Sequence, residues 1–385
     1  MKLDELIREL CPNGVEFSLL GELCKIETGK LNANAAVPDG EFAFFTTAKE
    51  ISRIDKYRWD TEALLIAGNA NVGDVKHYIG KFDAYQRTYV LTQFDDKIRT
   101  RYLYYVLSNN LRDYLLTHKN DAAMTYIVLS TLTQFRVPVP PIEVQREIVR
   151  ILDNFTELTA ELTAELTARK KQYEFYRDKL LTFGNTNVPL LELRSVVKKS
   201  CSGSTPTKGN SEYYINGTIP WIRTQDVRFN EITEVDSYIT EKAVAETAAK
   251  WIPENCVIVA ISGATAGRCA INKIKATTNQ HCLNLEIDET KALYKYVYYC
   301  VYNKYDELIS KKQGARGDLN SSLVLSLKIP VPTLDVQKRL VNVLDNFDAI
   351  CSDLNIGLPA EIETRQKQYE YYRDKLLTFK EKISE

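Results

Sequence analysis

Two stretches of this chain are near copies of two others, and that duplication restricts the fold more than any other feature. VPVPPIEVQREIVRILDNF (137–155) matches IPVPTLDVQKRLVNVLDNF (329–347) at an offset of 192. KQYEFYRDKLLTF (171–183) matches KQYEYYRDKLLTF (367–379) at an offset of 196. A repeat on this scale marks one structural plan stated twice. The offsets differ by four, so one copy holds four more residues between its blocks.

Upstream of the blocks the copies match more faintly. Phe44-Phe-Thr-Thr47 parallels Trp221-Ile-Arg-Thr224, and Gly73 and Gln86 stand 13 apart, as do Gly267 and Gln280. Each glycine follows an apolar, strand-like run, Ala63–Ala67 or Cys256–Ile261. With 385 residues and 44% apolar content there is material for two or more cores. The expected order is globular domain (1–136), helix region (137–184), globular domain (185–328), helix region (329–385). The helical parts are nearly identical and the globular parts have diverged, which places common architecture in the former and a differing specificity in the latter.

The prolines of Val137-Pro-Val-Pro-Pro141 and Ile329-Pro-Val-Pro332 exclude a helix interior or central strand and predict extended connectors. Beyond them Ile148, Ile151, Leu152, Phe155, Leu158, Leu162, Leu166, Tyr173, Tyr176 and Leu180 recur at helical steps. The second copy repeats the pattern from Leu340 to Leu376, broken by Asn355-Ile-Gly-Leu-Pro359, where a kink or split is expected. The globular parts read as mixed α/β, with strands at 63–67, 89–92, 256–261 and 282–286 and helices at 100–107 and 292–302. The fold class expected is thus mixed α+β. If a pseudo-twofold axis relates the copies, the two long helices, roughly 50–60 Å each, run antiparallel and pack as a coiled coil.

Within the first helix lies ELTAELTAELTA (157–168). Four residues of α-helix advance about 6 Å and leave a net rotation of roughly 40°. A unit gained or lost keeps the leucines near the packing stripe, as a stutter does. Two readings stand: a helix-compatible repeat of no fixed length, or a ruler between the domains.

The formal charge is −1, which neither announces nor excludes nucleic acid. No 18-residue apolar run marks a membrane helix, and Met1-Lys-Leu-Asp-Glu-Leu is unlike a signal peptide, so a cytoplasmic protein is expected. Eight scattered cysteines without a C-x-x-C pair read as free thiols, and His77, His118 and His281 have no metal spacing.

These blocks, in this order, resemble the specificity (S) subunit of Type I restriction-modification systems. The resemblance spans nearly the whole chain, and the TAEL-type units are a mark of one branch. IPWIRTQDV (219–227), VIVAISGATAGRCAI (257–271) and TTNQHCLNL (277–285) resemble that family's second target-recognition domain. FAFFTTAKEI (42–51), EALLIAGNANVGDV (62–75) and DAYQRTYVL (83–91) resemble its first. The resemblance implies a non-catalytic subunit with no cofactor of its own. Each globular domain would read half of a bipartite site in double-stranded DNA. The helices would set the spacing and dock two methyltransferase (M) subunits, which bind S-adenosylmethionine and methylate adenine N6. Two restriction (R) subunits would add cleavage driven by ATP with Mg2+. In the branch with TAEL units, their number goes with spacer length. The second helix lacks the tandem units, so a ruler would be one-sided.

Base-edge contacts specify sequence and phosphate contacts position the protein. Polar residues in loops beside strands are therefore the candidates. In the first domain these are Thr46, Thr47 and Lys49; Asn69, Asn71 and Gly73; and Tyr85, Gln86 and Arg87. In the second they are Trp221, Arg223, Thr224 and Gln225; Ser262, Thr265 and Arg268; and Asn279 and Gln280. Tight turns account equally for Gly73 and Gly267, a core position for Trp221, and plain surface charge for Arg87 and Arg223. For the M subunits the helices offer Arg150, Asp153, Asn154, Tyr173 and Tyr176, then Asp345, Asn346, Tyr369 and Tyr372. Packing between the helices is the competing role for the tyrosines.

An enzyme of its own is disfavoured. The chain has no Asn/Asp-Pro-Pro-Tyr/Phe motif and no G-x-x-x-x-G-K-[ST]. Gly263-Ala-Thr-Ala-Gly267 lacks the third glycine of a dinucleotide site, and Arg316-Gly-Asp318 is an adhesion tripeptide by spelling alone. The alternative from another class is a coiled-coil scaffold that reads no DNA. It accounts for the helices but not for two diverged domains with matching polar loops.

Overall fold

The computed structural model describes residues 3–117, 126–184, 186–312, 318–352 and 356–382. Among them, six helices reach eight residues or more: α1 (Leu3–Leu10), α2 (Thr100–Thr117), α3 (Ile142–Leu180), α4 (Tyr294–Asn303), α5 (Leu334–Ser352) and α6 (Leu358–Leu376). The chain divides into two compact units, 1–163 with 361–385, and 164–360. Neither boundary coincides with the four segments read from the sequence. The first falls inside α3 and the second inside α6.

Unit 1 is built on a six-stranded sheet. Its spatial order is Lys25–Thr28, Thr88–Thr92, Trp59–Ala67, Val75–Ala84, Phe42–Phe45, Ser52–Ile54. All pairs are antiparallel except Phe42–Phe45 with Val75–Ala84. Alternation along Ala63–Ala67 sends Leu64 and Ile66 to one face, where α2 packs with Tyr102, Val106 and Leu107. It sends Ala63 and Leu65 to the other, against Phe45, Phe82 and Val90. Both faces are covered, so this strand reads as a continuous apolar run.

Unit 2 repeats the plan with two sheets. One runs Val197–Ser202, Cys282–Ile287, Val257–Ala260, Cys269–Asn272, Asn230–Ile232, and the other Tyr238–Ile239, Ile219–Ile222, Ala276–Thr278, Trp251–Ile252. Helix α4 covers Val257, Val259, Leu283 and Leu285 as α2 does in unit 1. Ile258, Ala260, Ala270 and Cys282 face the opposite cluster.

The proline connectors form short antiparallel ribbons, Glu16–Leu19 with Arg136–Val139 and Leu190–Glu192 with Lys328–Pro330. In unit 1 the end of the chain returns to this ribbon. Val15 N donates to the Lys380 carbonyl at 2.9 Å, and Lys382 N to the Val15 carbonyl at 2.9 Å.

Phe155 of α3 stacks on Tyr372 of α6 in unit 1, with centroids 5.5 Å apart. In unit 2 Tyr176 of α3 stacks on Phe347 of α5 at 5.8 Å. Helix α5 ends at Ser352 and α6 begins at Leu358 with Pro359 in its first turn, so the expected split is present, and residues 353–355 lie outside the described set. All eight cysteines are free and seven are buried. Among the described residues no helix is long and apolar enough to cross a membrane, and no three His, Cys, Asp or Glu side chains gather as a metal would require.

Candidate nucleic-acid interface

In unit 2 the strands Ile219–Ile222 and Ala276–Thr278 run parallel and end together. Three loops therefore emerge side by side. Asn279 N donates to the Ile222 carbonyl at 2.9 Å, and Ser204 N to the Thr278 carbonyl at 2.9 Å. Val257–Ala260 delivers a fourth loop to the same place, since Ile261 N donates to the His281 carbonyl at 2.8 Å. The 3-10 turn Thr224–Asp226 lies against the 3-10 turn Gly263–Thr265. The loops that carry Arg223, Thr224, Gln225, Ser262, Thr265, Arg268, Asn279 and Gln280 thus lie together.

Their roles differ. Gln225 and Gln280 are exposed, and Arg223 and Arg268 are half-buried. The Arg223 backbone N–H donates to Asp226 Oδ2 at 2.8 Å, which fixes the turn. Its guanidinium carbon sits 5.9 Å from the Trp221 ring, and its Nε is buried without a partner. Thr205 Oγ1 donates to Gln280, whose Nε2 lies 3.2 Å from His281 Nε2. Ser262 Oγ donates to Asp318 at 2.5 Å. The Asn279 side chain is buried and accepts from His281 N at 3.1 Å, so it holds the loop. Trp221 is a correction: it is 7% exposed, packs with Ile219, Ile239 and Ala243, and donates from Nε1 to the Ser204 carbonyl. It supports the loops from beneath and presents no ring for a base to stack on.

Unit 1 builds the same frame from other side chains. Tyr85 N donates to the Phe45 carbonyl at 2.8 Å and Gln86 N to the Leu31 carbonyl at 2.9 Å. Gly68 N donates to the Arg87 carbonyl as Ile261 N does to His281, and Ile127 N to Gly68 as Leu319 N does to Ile261. Gly73 N caps Ala67 and Gly267 N caps Ala260, at φ +82° and +92°. Both glycines are buried, so they close turns and offer no backbone to a phosphate. Asn71 Nδ2 donates to the Thr47 carbonyl at 2.8 Å, and Thr46 Oγ1 accepts from Ala48 N. Thr47 is buried, and Asn69 Oδ1 is buried without a partner. Tyr85 is half-buried, while Lys49, Gln86 and Arg87 are exposed.

Sequence reasoning missed Gly29 and Gly203. A Cβ on either would meet the Ala84 or Thr278 carbonyl oxygen at 2.0 or 1.9 Å, so only glycine lets the preceding strand cross there. It also missed His281, whose signal was its place one residue after Gln280, matching Arg87 after Gln86.

On the helices, Asp153 and Asp345 are corrections too. Asp153 Oδ1 accepts from Arg101 Nε at 2.8 Å and Tyr105 OH at 2.6 Å. Asp345 accepts from Lys295 Nζ at 3.0 Å and Tyr299 OH at 2.6 Å. Burial first and the carboxylate second hold both tyrosine hydroxyls far above the usual phenol range. These aspartates tie helix to domain, with their carboxylates already engaged within their own unit. Tyr173 is buried, Tyr369 packs on the unit 1 core, and Tyr176 and Tyr372 stack on phenylalanines. Arg150 is exposed but paired with Glu147 at 2.6 Å, and Asn154 and Asn346 face solvent. Unanticipated are Phe175 and Tyr371, 61% and 64% exposed at the same place in the two KQYE(F/Y)Y blocks.

The comparisons agree with this geometry. A family model described as the Type I restriction modification DNA specificity domain matches residues 12–169 and again 187–364. The Type I restriction enzyme EcoR124I/EcoR124II specificity subunit of Escherichia coli is 38% identical over 298 residues, 74% of this chain and 72% of that one. A putative type I restriction enzyme specificity subunit of Haemophilus influenzae, S.HindORF215P, is 32% identical over 346 residues, 85% of each. Among solved structures, the S subunit of a Type-I restriction-modification system from M. genitalium superposes with a TM-score of 0.61 at 14% identity, over 94% of this chain and 96% of that one. A chain from a type I R-M assembly study superposes at 0.63 and 15% identity, over 95% and 98%. With a duplicated α+β plan, two equivalent polar loop clusters and a family model matched once in each half, the chain belongs to the Type I restriction-modification DNA specificity family.

Proposed function

We propose that each globular domain reads one half of a bipartite, asymmetric site in double-stranded DNA, and that the chain itself catalyses nothing. The observation that carries this reading is the pair of equivalent loop clusters, framed by the same backbone hydrogen bonds but bearing different side chains: Arg223, Gln225 and His281 in one, Thr46, Lys49 and Arg87 in the other. A common frame with divergent tips suits two readers of different sequence. Gln86 and Gln280 are the bases' neighbours common to both, and glutamine is suited to the N6/N7 edge of adenine.

In this proposal the helices set the half-site spacing and dock two methyltransferase subunits, with exposed Phe175 and Tyr371 as anchors alongside Arg150, Asn154 and Asn346. Those subunits bind S-adenosylmethionine and methylate adenine N6. Two restriction subunits, using ATP and Mg2+, add cleavage. The TAEL-type run is assigned the role of spacer. The test is the adenine-methylation map of plasmid DNA from cells expressing this chain with its cognate methyltransferase subunit. N6-methyladenine in one split motif, absent without this chain, is the expected result. A folded complex that leaves no motif, and DNA affinity without a steep salt dependence, would return the chain to the scaffold reading.

A further inference from the structure

Unit 2 carries an open apolar groove of about 640 Å³, lined among others by Phe183, Val188, Leu191, Val196, Val331 and Val336. The duplication supplies its counterpart. Leu20 N donates to the Phe135 carbonyl as Leu193 N does to Leu327, and Asp95 N to Leu23 as Asp288 N does to Val196. Those bonds set Val15 against Val188, Leu23 against Val196, Val139 against Val331 and Val144 against Val336. Phe379 of unit 1 likewise corresponds to Phe183.

In unit 1 this place is covered. Helix α1 presents Leu3, Leu6, Ile7 and, just past its end, Cys11 on one stripe, with charged residues opposite. Leu3 and Cys11 are buried in the same cluster as Val15, Val137 and Val144, and Leu6, Ile7 and Phe379 pack against it. Cys11 lies beside the Tyr102 hydroxyl, which donates to the Pro138 carbonyl at 3.2 Å. Under this cover Val144 is 0% exposed, whereas Val336 is 36% and Leu191 38% exposed. Before Val188 the chain is only the end of α3 and a turn, so no helix equivalent to α1 is present there among the described residues.

We propose that the unit 2 groove seats an amphipathic helix of a partner protein, with the chemistry of α1: aliphatic residues at i, i+3 and i+4, a small apolar residue at i+8, and charges opposite. The recognition mode is a helix laid into an apolar groove, and the proposal stands independently of DNA reading.

The probe is a fluorescent peptide of residues 1–13 of this chain, with Cys11→Ala, titrated by anisotropy against the full chain, whose own α1 keeps the unit 1 groove closed. The expected result is saturable 1:1 binding in roughly the tens to hundreds of micromolar, weak because an isolated short helix must first be ordered. Val336→Glu, and separately Leu191→Glu, should each weaken it at least about tenfold by burying a carboxylate against apolar walls. Both positions are partly exposed, and unchanged circular dichroism and melting temperature would show that the variants fold. No saturation at about 2 mM peptide, or binding indifferent to both substitutions, would overturn the proposal. So would concentration-dependent self-association in sedimentation that Val336→Glu abolishes, since the occupant would then be a second copy.

Discussion

Gln145 and Gln337 show how much a single residue of the duplicated block does. Each is fully buried near the start of a long helix. Gln145 Nε2 donates to the Lys97 and Pro140 carbonyls at 2.8 Å, and Oε1 accepts from Arg99 N at 2.9 Å. Gln337 does the same with Lys291, Pro332 and Leu293. One side chain thus satisfies a carbonyl of the proline connector and two backbone groups of the loop that leads into α2 or α4. Gln337→Leu should cost about 3 kcal/mol, because the stranded groups lose their partners without regaining water. Gln337→Glu should cost more, as it faces two carbonyl oxygens with a carboxylate. Urea denaturation measures both, and a midpoint within error of the parent would remove this role. A second residue carries a pH signature. Burial, the larger cause, and neighbouring Asp345 raise the Asp348 carboxyl above its usual range. A raised carboxyl favours the folded state while protonated, so its contribution is lost as pH rises through the folded value. Asp348→Asn should therefore raise the melting temperature at pH 8 more than at pH 5. An equal gain at both pH values would show that the carboxyl is not the cause. Thr156 stands at the matching position of the first copy, so an uncharged residue fits there.

At the scale of elements, helix phase is the governing quantity. In the tetrad run Leu162 is buried, Leu158 and Leu166 are half-buried, and Glu157, Glu161 and Glu165 are exposed. The repeat therefore lays its leucines on one stripe. Removing Thr163–Leu166 turns the remainder of α3 by roughly 40°, whereas removing three residues turns it by roughly 60° the other way and removing two by roughly 160°. The four-residue deletion should leave a cooperatively folding protein with altered spacing in the methylated motif and unchanged half-sites. The two-residue deletion should melt well below it. Half-sites that changed with the four-residue deletion would end the spacer role. Much at this scale was legible in the sequence, because periodicity and proline placement are local. The strands at 63–67 and 282–286, the helix at 100–107 and the split near Pro359 all have counterparts in the structure. The buried glutamines were not legible, since a lone Gln on a helix reads as solvent-facing. Nor was the role of Asp153, whose partner Arg101 lies 52 residues away.

For the whole molecule, the issue is whether two readers in one chain act independently. The residues of each loop cluster lie within one unit, Arg87 in the first and Arg223 in the second. Substitutions that share no partner are additive to within a few tenths of a kcal/mol. Arg223→Ala should therefore relax recognition in one half of the methylated motif, by about 1–3 kcal/mol of discrimination if its contact is to a base edge. Arg87→Ala should act on the other half alone. The double variant should combine the two losses without further change, and the spacer should stay as it was. If Arg223 instead touches only phosphate, modification should weaken uniformly across sequences and the salt slope should fall, with the motif intact. The methylation map distinguishes these outcomes, because it reports both half-sites and the gap in one measurement. Loss at both halves from Arg223→Ala alone would mean that the readers are coupled. The sequence could propose this experiment because the duplication aligned the two clusters. It could not choose the residue, since whether an arginine is a surface charge or braces against Trp221 is decided only in the folded unit.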